Sequence, residues 1–107
     1  MIKNKLIVLI EQPAEEIDFN FRVNEVWLFN VLQHVINPSK IIYNCKRISK
    51  RIYFFEPINC GLSDCHLWDF NLEYFKDHFG NCVQHYKGNK EAKNFHTHEC
   101  AFGIWKK

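Results

Sequence analysis

Residues 23–56, VNEVWLFNVLQHVINPSKIIYNCKRISKRIYFFE, decide the fold. The stretch begins and ends with apolar runs of strand length, VNEVWLFN at 23–30 and RIYFFE at 51–56. Between them, an Asn-Pro pair at 37–38 is typical of a helix start, because asparagine caps helices and proline suits the first helical position. The apolar residues that follow recur at helical spacing: Ile41, Ile42, Cys45 and Ile48. This pattern predicts two parallel strands joined through a helix by a right-handed crossover.

The flanking segments extend this unit in both directions. Residues 5–10, KLIVLI, form a continuous β-branched run that predicts another buried strand, and a carboxylate-rich loop follows it. A second helix is expected at 71–79, with Gly80 as its C-terminal stop. Two strand-like runs at 82–86 and 97–105 predict an antiparallel pair that closes the sheet. We therefore expect a single α/β domain over all 107 residues.

Composition limits the classes of function. A chain of 107 residues has room for one domain. Lysine and arginine number 14 and aspartate and glutamate 12, so the net charge of +2 gives no attraction to nucleic acid or to an anionic membrane surface. Apolar residues make up 47% and charged residues 24%, which is typical of a folded domain. No apolar run reaches the ~18 residues of a membrane-spanning helix, so we expect no membrane partner.

The N-terminus and the cysteines indicate the compartment. The sequence MIKNKLIVLIEQPAEE has no small-residue cleavage site after its short apolar stretch, so it does not predict a signal peptide. The five cysteines are an odd number at irregular spacing, which favours thiols over a disulfide framework: Cys45, Cys60, Cys65, Cys82 and Cys100. Both observations predict a cytoplasmic protein.

Polar residues cluster at the ends of the predicted strands. Three clusters follow the three predicted parallel strands in turn: Glu15 and Glu16, then Asn30, Gln33 and His34, then Glu56 and Asn59. In an open α/β sheet, ligands bind outside the carboxyl ends of parallel strands, so this edge is the candidate ligand site. The alternative is that polar residues simply terminate the strands. Near the third cluster, Trp68 and Phe70 are expected to wall a small-molecule pocket.

Several stretches, taken in order, carry a resemblance to a known family. EQPAEEIDF at 11–19, EVWLFNVLQHVINPSKII at 25–42 and KRIYFFEPIN at 50–59 resemble the middle of class I S-adenosylmethionine-dependent methyltransferases. The tail, HFGNCVQHYKG at 78–88 and HECAFGIWKK at 98–107, is similar to the final antiparallel strand pair of that family, whose last strand lies between the two before it. The resemblance implies a partial Rossmann-like methyltransferase sheet, with parallel strands followed by a C-terminal antiparallel pair.

The sequence departs from the family at the cofactor loop. The family's first strand ends in a glycine-rich loop that seats the methionine part of the cofactor, whereas here no Gly-x-Gly follows an early strand. The resemblance therefore implies the C-terminal portion of a truncated or split enzyme, without two strands that belong beside the strand at 23–30. An unpaired apolar edge promotes association. We expect another copy of the chain, a separate polypeptide that carries the missing half, or the N-terminal segment to cover this edge.

The resemblance also implies a cofactor site for S-adenosylmethionine. Glu15 or Glu16 would accept a hydrogen bond from the adenine amino group, and a carboxylate suits the cationic sulfonium. Asn30, Val31 and Gln33 would line the wall beside the sulfonium, partly through backbone groups. The alternative for the two glutamates is an acidic loop that faces solvent.

The same resemblance implies an acceptor site in the following loops. His34 is the candidate to contact the acceptor hydroxyl and take its proton, because neutral imidazole is a general base near physiological pH. Glu56, Asn59, Asp64 and His66 lie where the family recognises its acceptor. These residues predict methyl transfer to a small molecule, such as the hydroxyl of a sugar. The alternatives are a turn histidine bonded to backbone and a well-packed surface loop.

Two other functions stay open. One is a non-catalytic, methyltransferase-like fragment that acts through protein association. The other is a small zinc module, for which the candidate ligands are Cys60, Cys65, His66, Cys82, His85, His96, His98 and Cys100. No Cys-x-x-Cys motif occurs and the spacing matches no familiar zinc template, so we expect no metal site.

Overall fold

A computed structural model describes residues 14–62, 67–88 and 99–107 of the chain. Its strands and helices, in chain order, are β1 (Val23–Phe29), α1 (Pro38–Ile48), β2 (Ser49–Pro57), α2 (Leu72–Phe79), β3 (Gln84–Tyr86) and β4 (Cys100–Lys106). Short 3₁₀ turns lie at Ala14–Glu16, Leu32–His34 and Gly80–Cys82. The strand predicted at 5–10 lies outside the described residues, as do Asp64, Cys65, His66, His96 and His98.

The four described strands form one mixed sheet in the order β1-β2-β4-β3. β1 and β2 are parallel, with Val23 opposite Ser49 and Phe29 opposite Phe55. β4 is antiparallel to both β2 and β3. The parallel unit and the antiparallel tail predicted from the sequence are thus confirmed, and β4 lies between β2 and β3 as the resemblance implies. β1 forms the other edge of the described sheet, next to β2 alone.

Side-chain caps fix where both helices begin. Asn37 Oδ1 accepts a hydrogen bond from the backbone N–H of Lys40 at 3.1 Å, and Asn71 Oδ1 accepts one from that of Tyr74 at 2.9 Å. These bonds satisfy N–H groups that have no partner within the helix. Gly80 ends α2 with a φ of 74°, a left-handed conformation that glycine adopts without strain. The helix starts and this stop lie where the sequence predicts them.

Both helices cover the same face of the sheet. The apolar stripe of α1, together with Phe75 and Phe79 of α2, is buried against alternate residues of the strands. Phe54 of β2 stacks on Phe79 with ring centroids 4.2 Å apart, and its ring lies 6.1 Å from that of Phe75. Gly103 of β4 faces this layer, and a Cβ atom there would collide with the Cys82 carbonyl. The turn after α2 therefore crosses β4 in close contact.

The opposite face of the sheet carries apolar side chains over which neither α1 nor α2 lies. We call it the aromatic face, and its residues are Trp27, Phe29, Tyr53, Phe55, Phe102 and Ile104. Trp27 is 61% exposed, Phe29 53% and Ile104 43%. Continuous apolar runs are typical of strands buried on both faces, yet in β1 only Leu28 is buried. The described part of the chain is therefore a two-layer structure with one uncovered apolar face.

Two further expectations concern the chain as a whole. Of the helices in the described ranges, none is both long and apolar enough to cross a membrane. The four described cysteines, Cys45, Cys60, Cys82 and Cys100, are present as thiols. Burial raises the pKa of the Cys45 thiol and that of the Cys100 thiol to about 11, so both stay protonated at neutral pH.

Candidate functional site

The chain turns sharply at the carboxyl end of β1. Asn30 follows the strand with a φ of 57°, in the left-handed region that asparagine tolerates better than most residues. Its backbone N–H donates to the Phe55 carbonyl at 2.9 Å and extends the parallel ladder by one residue. The 3₁₀ turn Leu32–His34 comes next. Residues 30–34, which we call the β1–α1 turn, therefore lie at the edge where α/β sheets bind ligands.

A buried carboxyl group from β2 holds this turn. Glu56 has no exposed surface, and its Oε1 accepts hydrogen bonds from the backbone N–H groups of Val31 at 3.0 Å and Leu32 at 3.3 Å. Its Oε2 is buried and has no hydrogen-bond partner among the described residues. Burial raises the pKa of Glu56 to about 8, although the two N–H groups act to lower it. The group is therefore mostly a neutral acid at pH 7.

Gln33 joins the β1–α1 turn to the loop after β2. Its side chain is buried, and Nε2 donates a hydrogen bond to Asn30 Oδ1. Its backbone carbonyl accepts a hydrogen bond from the Leu67 N–H at 2.8 Å. Asn30, Val31, Gln33 and Glu56, which the sequence predicts at the cofactor wall and the acceptor site, thus belong to one hydrogen-bonded cluster.

A second network holds the loop after β2. Asn59 has a φ of 55°, and its backbone N–H donates to the Phe70 carbonyl at 2.8 Å. The Glu99 carboxylate lies 2.6 Å from His85 Nε2. Hydrogen bonds from His85 and from the Asn59 side chain hold the pKa of Glu99 below its usual value. These contacts place Asn59 at the surface of the loop, beside the start of β4.

A cavity of about 470 Å³ opens between this loop and the start of α1. Trp68 and Phe70 line it, as predicted, and the other lining residues are Ile36, Asn37, Pro38, Ser39, Asp69, Asn71 and Tyr74. Trp68 Nε1 donates to the Val35 carbonyl at 2.7 Å, which fixes the indole, and Phe70 stacks on Tyr74 with ring centroids 4.6 Å apart. The volume is typical of small-molecule sites. Aromatic rings beside a carboxylate and amides suit a polar ligand with an apolar face.

The rim of this cavity carries a hydroxyl–imidazole network that the sequence did not reveal. Ser39 Oγ lies 2.9 Å from the Tyr74 hydroxyl and 3.2 Å from His78 Nε2. Burial and the nearby Lys46 ammonium lower the pKa of His78, so its ring is neutral at pH 7. Tyr74 and His78 are neighbours four residues apart on α2, but Ser39 comes from α1, and no local spacing brings it to them. They add both hydrogen-bond donors and acceptors to the cavity.

The other predicted site residues lie outside this hydrogen-bonded cluster. His34 is exposed at the end of the β1–α1 turn, and its backbone N–H donates to the Val31 carbonyl at 3.0 Å. Glu16 is exposed at the end of the Ala14–Glu16 turn. The Glu15 side chain and the whole of His66 lie outside the described residues. The roles assigned to these residues toward cofactor and acceptor stay predictions.

The zinc alternative can be examined only over the described ranges. Within residues 14–62, 67–88 and 99–107, no three His, Cys, Asp or Glu side chains come together as a metal site. Four of its candidate ligands, Cys65, His66, His96 and His98, lie outside those ranges.

Comparison with known proteins identifies a fold. No protein-family model and no curated protein matches the chain. The N-terminal domain of EvdMO1, crystallised in the presence of SAH and D-fucose, matches with a TM-score of 0.57 and 16% identity, over 89% of this chain and 52% of that one. A second crystal structure of the same domain, with SAH bound, matches with a TM-score of 0.42 and 18% identity, over 89% and 36%.

The chain thus spans about half the length of the solved domain that it matches. Its parallel β1–β2 pair, its antiparallel tail and this likeness give it the α/β fold of a partial Rossmann-like methyltransferase sheet. The predicted fold class is therefore confirmed.

Proposed function

We propose that this chain is the C-terminal part of an S-adenosylmethionine-dependent methyltransferase that acts on a hydroxyl group of a small molecule. The observation that carries the proposal is the β1–α1 turn, which Glu56 holds at the carboxyl ends of two parallel strands. In support, the fold resembles a domain crystallised in the presence of SAH, the product that S-adenosylmethionine leaves after methyl transfer. The missing glycine-rich loop would come from a segment outside this sequence.

The described residues fit one wall of a cofactor site. Glu56 accepts hydrogen bonds from the N–H groups of Val31 and Leu32, so the turn has a fixed shape before any ligand binds. A hydrogen bond between the side chains of Gln33 and Asn30 also stabilises the same turn. The exposed Glu16, together with Glu15, would complement the adenine amino group and the positive charge of the cofactor. In this proposal the turn lines the reacting part of the cofactor, and the two glutamates lie near its adenine.

The cavity beside Trp68 is the proposed acceptor site. It combines the fixed indole of Trp68 and the ring of Phe70 with the Asp69 carboxylate and the Ser39 hydroxyl. Sugars have apolar faces and polar edges, and this lining offers partners for both. D-fucose was present in the crystals of the similar EvdMO1 domain, which supports a sugar as the acceptor class.

Methyl transfer needs few groups beyond those that hold the reactants in line. S-adenosylmethionine, when bound, supplies a methyl group on a cationic sulfur, which leaves as the neutral thioether. The acceptor hydroxyl must lose its proton as it reacts, and we assign that proton to the imidazole of His34, which is exposed on the β1–α1 turn. Asn59 and His66 would orient the acceptor, and the buried Glu56 would hold the β1–α1 turn in place.

Calorimetric titration of the full chain tests this proposal. We expect SAH and S-adenosylmethionine to release or absorb heat on binding at up to millimolar concentration. Gln33→Ala, which removes the lock on Asn30, should weaken that binding, whereas Gln84→Ala on the far strand β3 should leave it unchanged. The absence of any heat at millimolar SAH in a folded sample would contradict the proposal. Addition of D-fucose to the SAH complex then tests the acceptor class.

A second candidate function is protein association without catalysis. The uncovered aromatic face favours it, because large exposed apolar patches mark interaction sites. Association without SAH binding would support this candidate over methyl transfer.

A further inference from the structure

The aromatic face is a regular three-strand surface. Two cross-strand rows form it: Trp27, Tyr53 and Ile104, then Phe29, Phe55 and Phe102, with Gln84 of β3 beside Phe102; a third row on the same side of the sheet is Glu25, Arg51 and Lys106. The Trp27 ring lies 5.6 Å from that of Phe29 and 5.8 Å from that of Tyr53. The rows of Trp27 and Phe29 are apolar, and the row of Glu25 is charged. This surface has the pattern of an interface with a dry centre and one polar margin.

We infer that, when the chain is by itself, a second copy covers this face in a two-fold symmetric, sheet-on-sheet dimer. About 450 Å² of apolar surface is exposed on this face in each copy, from Trp27, Phe29 and Ile104 and from the half-buried rings of Tyr53, Phe55 and Phe102. Two copies would bury about 900 Å² of apolar surface, and the charged row raises the total above the ~1,000 Å² of a specific interface. Sheets pack in this way at a separation of about 10 Å.

The charged row distinguishes a two-fold axis along the strands from one across them. An axis parallel to β2 exchanges β1 and β4, so Trp27 faces the partner's Ile104 and Glu25 faces the partner's Lys106. Trp27 then meets a smaller side chain, and at the margin two Glu25–Lys106 contacts flank Arg51, which faces the partner's Arg51 and bonds to Glu25 of its own chain at 3.2 Å. An axis perpendicular to the strands would place the whole charged row over the partner's Phe29, Phe55 and Phe102, so that three charges leave water and a carboxylate meets a ring, which is costly. The dimer therefore has its axis along β2.

This dimer does not depend on the proposed function. In a doubly wound sheet, helices cover both faces, so the missing half of a complete methyltransferase would use the same aromatic face. The second copy and the missing half are alternative occupants, and the dimer describes the chain without that half. Its measurement needs no cofactor, so failure of the dimer and failure of SAH binding are separate results.

Sedimentation equilibrium of the full chain, from low to high micromolar concentration, tests the inference. We expect a reversible dimer of twice the 12.9 kDa chain mass. Trp27→Lys and Ile104→Lys should each raise the dissociation constant by roughly tenfold or more, because each places a charge in the apolar centre. Tyr43→Lys is the matched control, since Tyr43 on α1 is 66% exposed but lies away from the face, and it should leave the dimer unchanged.

A charge exchange tests the axis. Glu25→Lys and Lys106→Glu should each weaken the dimer, because each places like charges opposite each other at the margin. The double variant should recover most of the affinity, because the opposite charges are then restored with their positions swapped. A double variant as weak as the single ones would overturn the axis along β2.

Other occupants would give different results. A monomer at every concentration overturns the dimer, and acrylamide quenching then identifies what replaces it. In a Trp68→Phe, Trp105→Phe background, Trp27 is the remaining tryptophan. Efficient quenching of Trp27 fluorescence would show that the face is open to solvent and free to bind the missing half. Strong shielding of Trp27 would show that the chain's own residues cover the face. A dimer that survives both Trp27→Lys and Ile104→Lys would place the interface elsewhere and overturn the inference as well.

Discussion

Glu56 places a carboxyl group in the core at the carboxyl end of β2, and its two oxygens have different environments. Oε1 accepts the N–H groups of Val31 and Leu32, and Oε2 is buried without a partner among the described residues. A neutral acid satisfies this arrangement better than a carboxylate, because burial penalises the charge. The residue therefore couples protonation to the shape of the β1–α1 turn.

Stability should fall with rising pH because of Glu56. Its pKa is about 8 in the folded chain and lies near 4.5 in an ordinary environment, so between these values the unfolded state ionises while the folded state holds its proton. The contribution of Glu56 is fully present below pH 4.5 and is lost as pH rises through 8, at up to about 1.4 kcal/mol per pH unit. Glu56→Gln should flatten this dependence, as measured by urea unfolding between pH 5 and pH 8.

Glu56→Ala is the informative comparison for that series. It removes the acceptor for the buried N–H of Leu32 and the part-buried N–H of Val31, so it should cost about 1–3 kcal/mol for the buried group and less for the other. Parallel pH profiles for the wild type and Glu56→Gln would show that another group causes the slope.

At the scale of elements, α1 and α2 begin in the same way and end differently. Asparagine side chains cap both N-termini, and both caps line the cavity beside Trp68. The caps therefore set the cavity wall as well as the helix starts. α1 runs directly into β2 at Ser49, whereas Gly80 stops α2.

Loss of either cap should destabilise the chain measurably. Asn37→Ala and Asn71→Ala each remove one hydrogen bond to an N–H group of the first turn, at a cost of about 1 kcal/mol in free energy of unfolding. Asn44→Ala, in the middle of α1, is the control and should change the free energy little, because alanine is the better helix former. Equal losses for all three variants would show that the caps have no special role.

At the scale of the whole molecule, the two faces of the sheet differ in their effect on stability. The covered face holds the stacked rings of Phe54 and Phe79, and the aromatic face holds exposed Phe29. The same residue type therefore occurs in both environments within one sheet, which permits a direct comparison.

Phe79→Ala should cost about 3–5 kcal/mol, because it opens a cavity in the core. Phe29→Ala should cost less than about 1 kcal/mol in dilute solution, where the chain is monomeric, since half of the ring already contacts water. Chemical unfolding at low protein concentration gives both values. A large loss for Phe29→Ala under those conditions would mean that residues of the same chain cover the aromatic face.

Local signals explain which parts of this structure were predictable. Asn37, Pro38 and Gly80 mark helix ends by their own chemistry, and the apolar runs of β1 and β2 mark strands, so the parallel unit and its order followed from the sequence. Burial of Glu56 and the contact of Ser39 with His78 depend on residues distant in the chain. An apolar run also does not tell which face another layer covers, which is why the aromatic face was not foreseen.

The hydrogen bonds of Glu56 should also slow amide hydrogen exchange in the β1–α1 turn. The amides of Val31 and Leu32 lie in a turn near the surface, and such amides ordinarily exchange with deuterium quickly. Here both N–H groups donate to a carboxyl group buried at the end of β2, so they can exchange only when these hydrogen bonds break. We therefore expect these two turn amides to exchange at the slow rate of the sheet, so that the edge proposed to meet a ligand is kinetically part of the core.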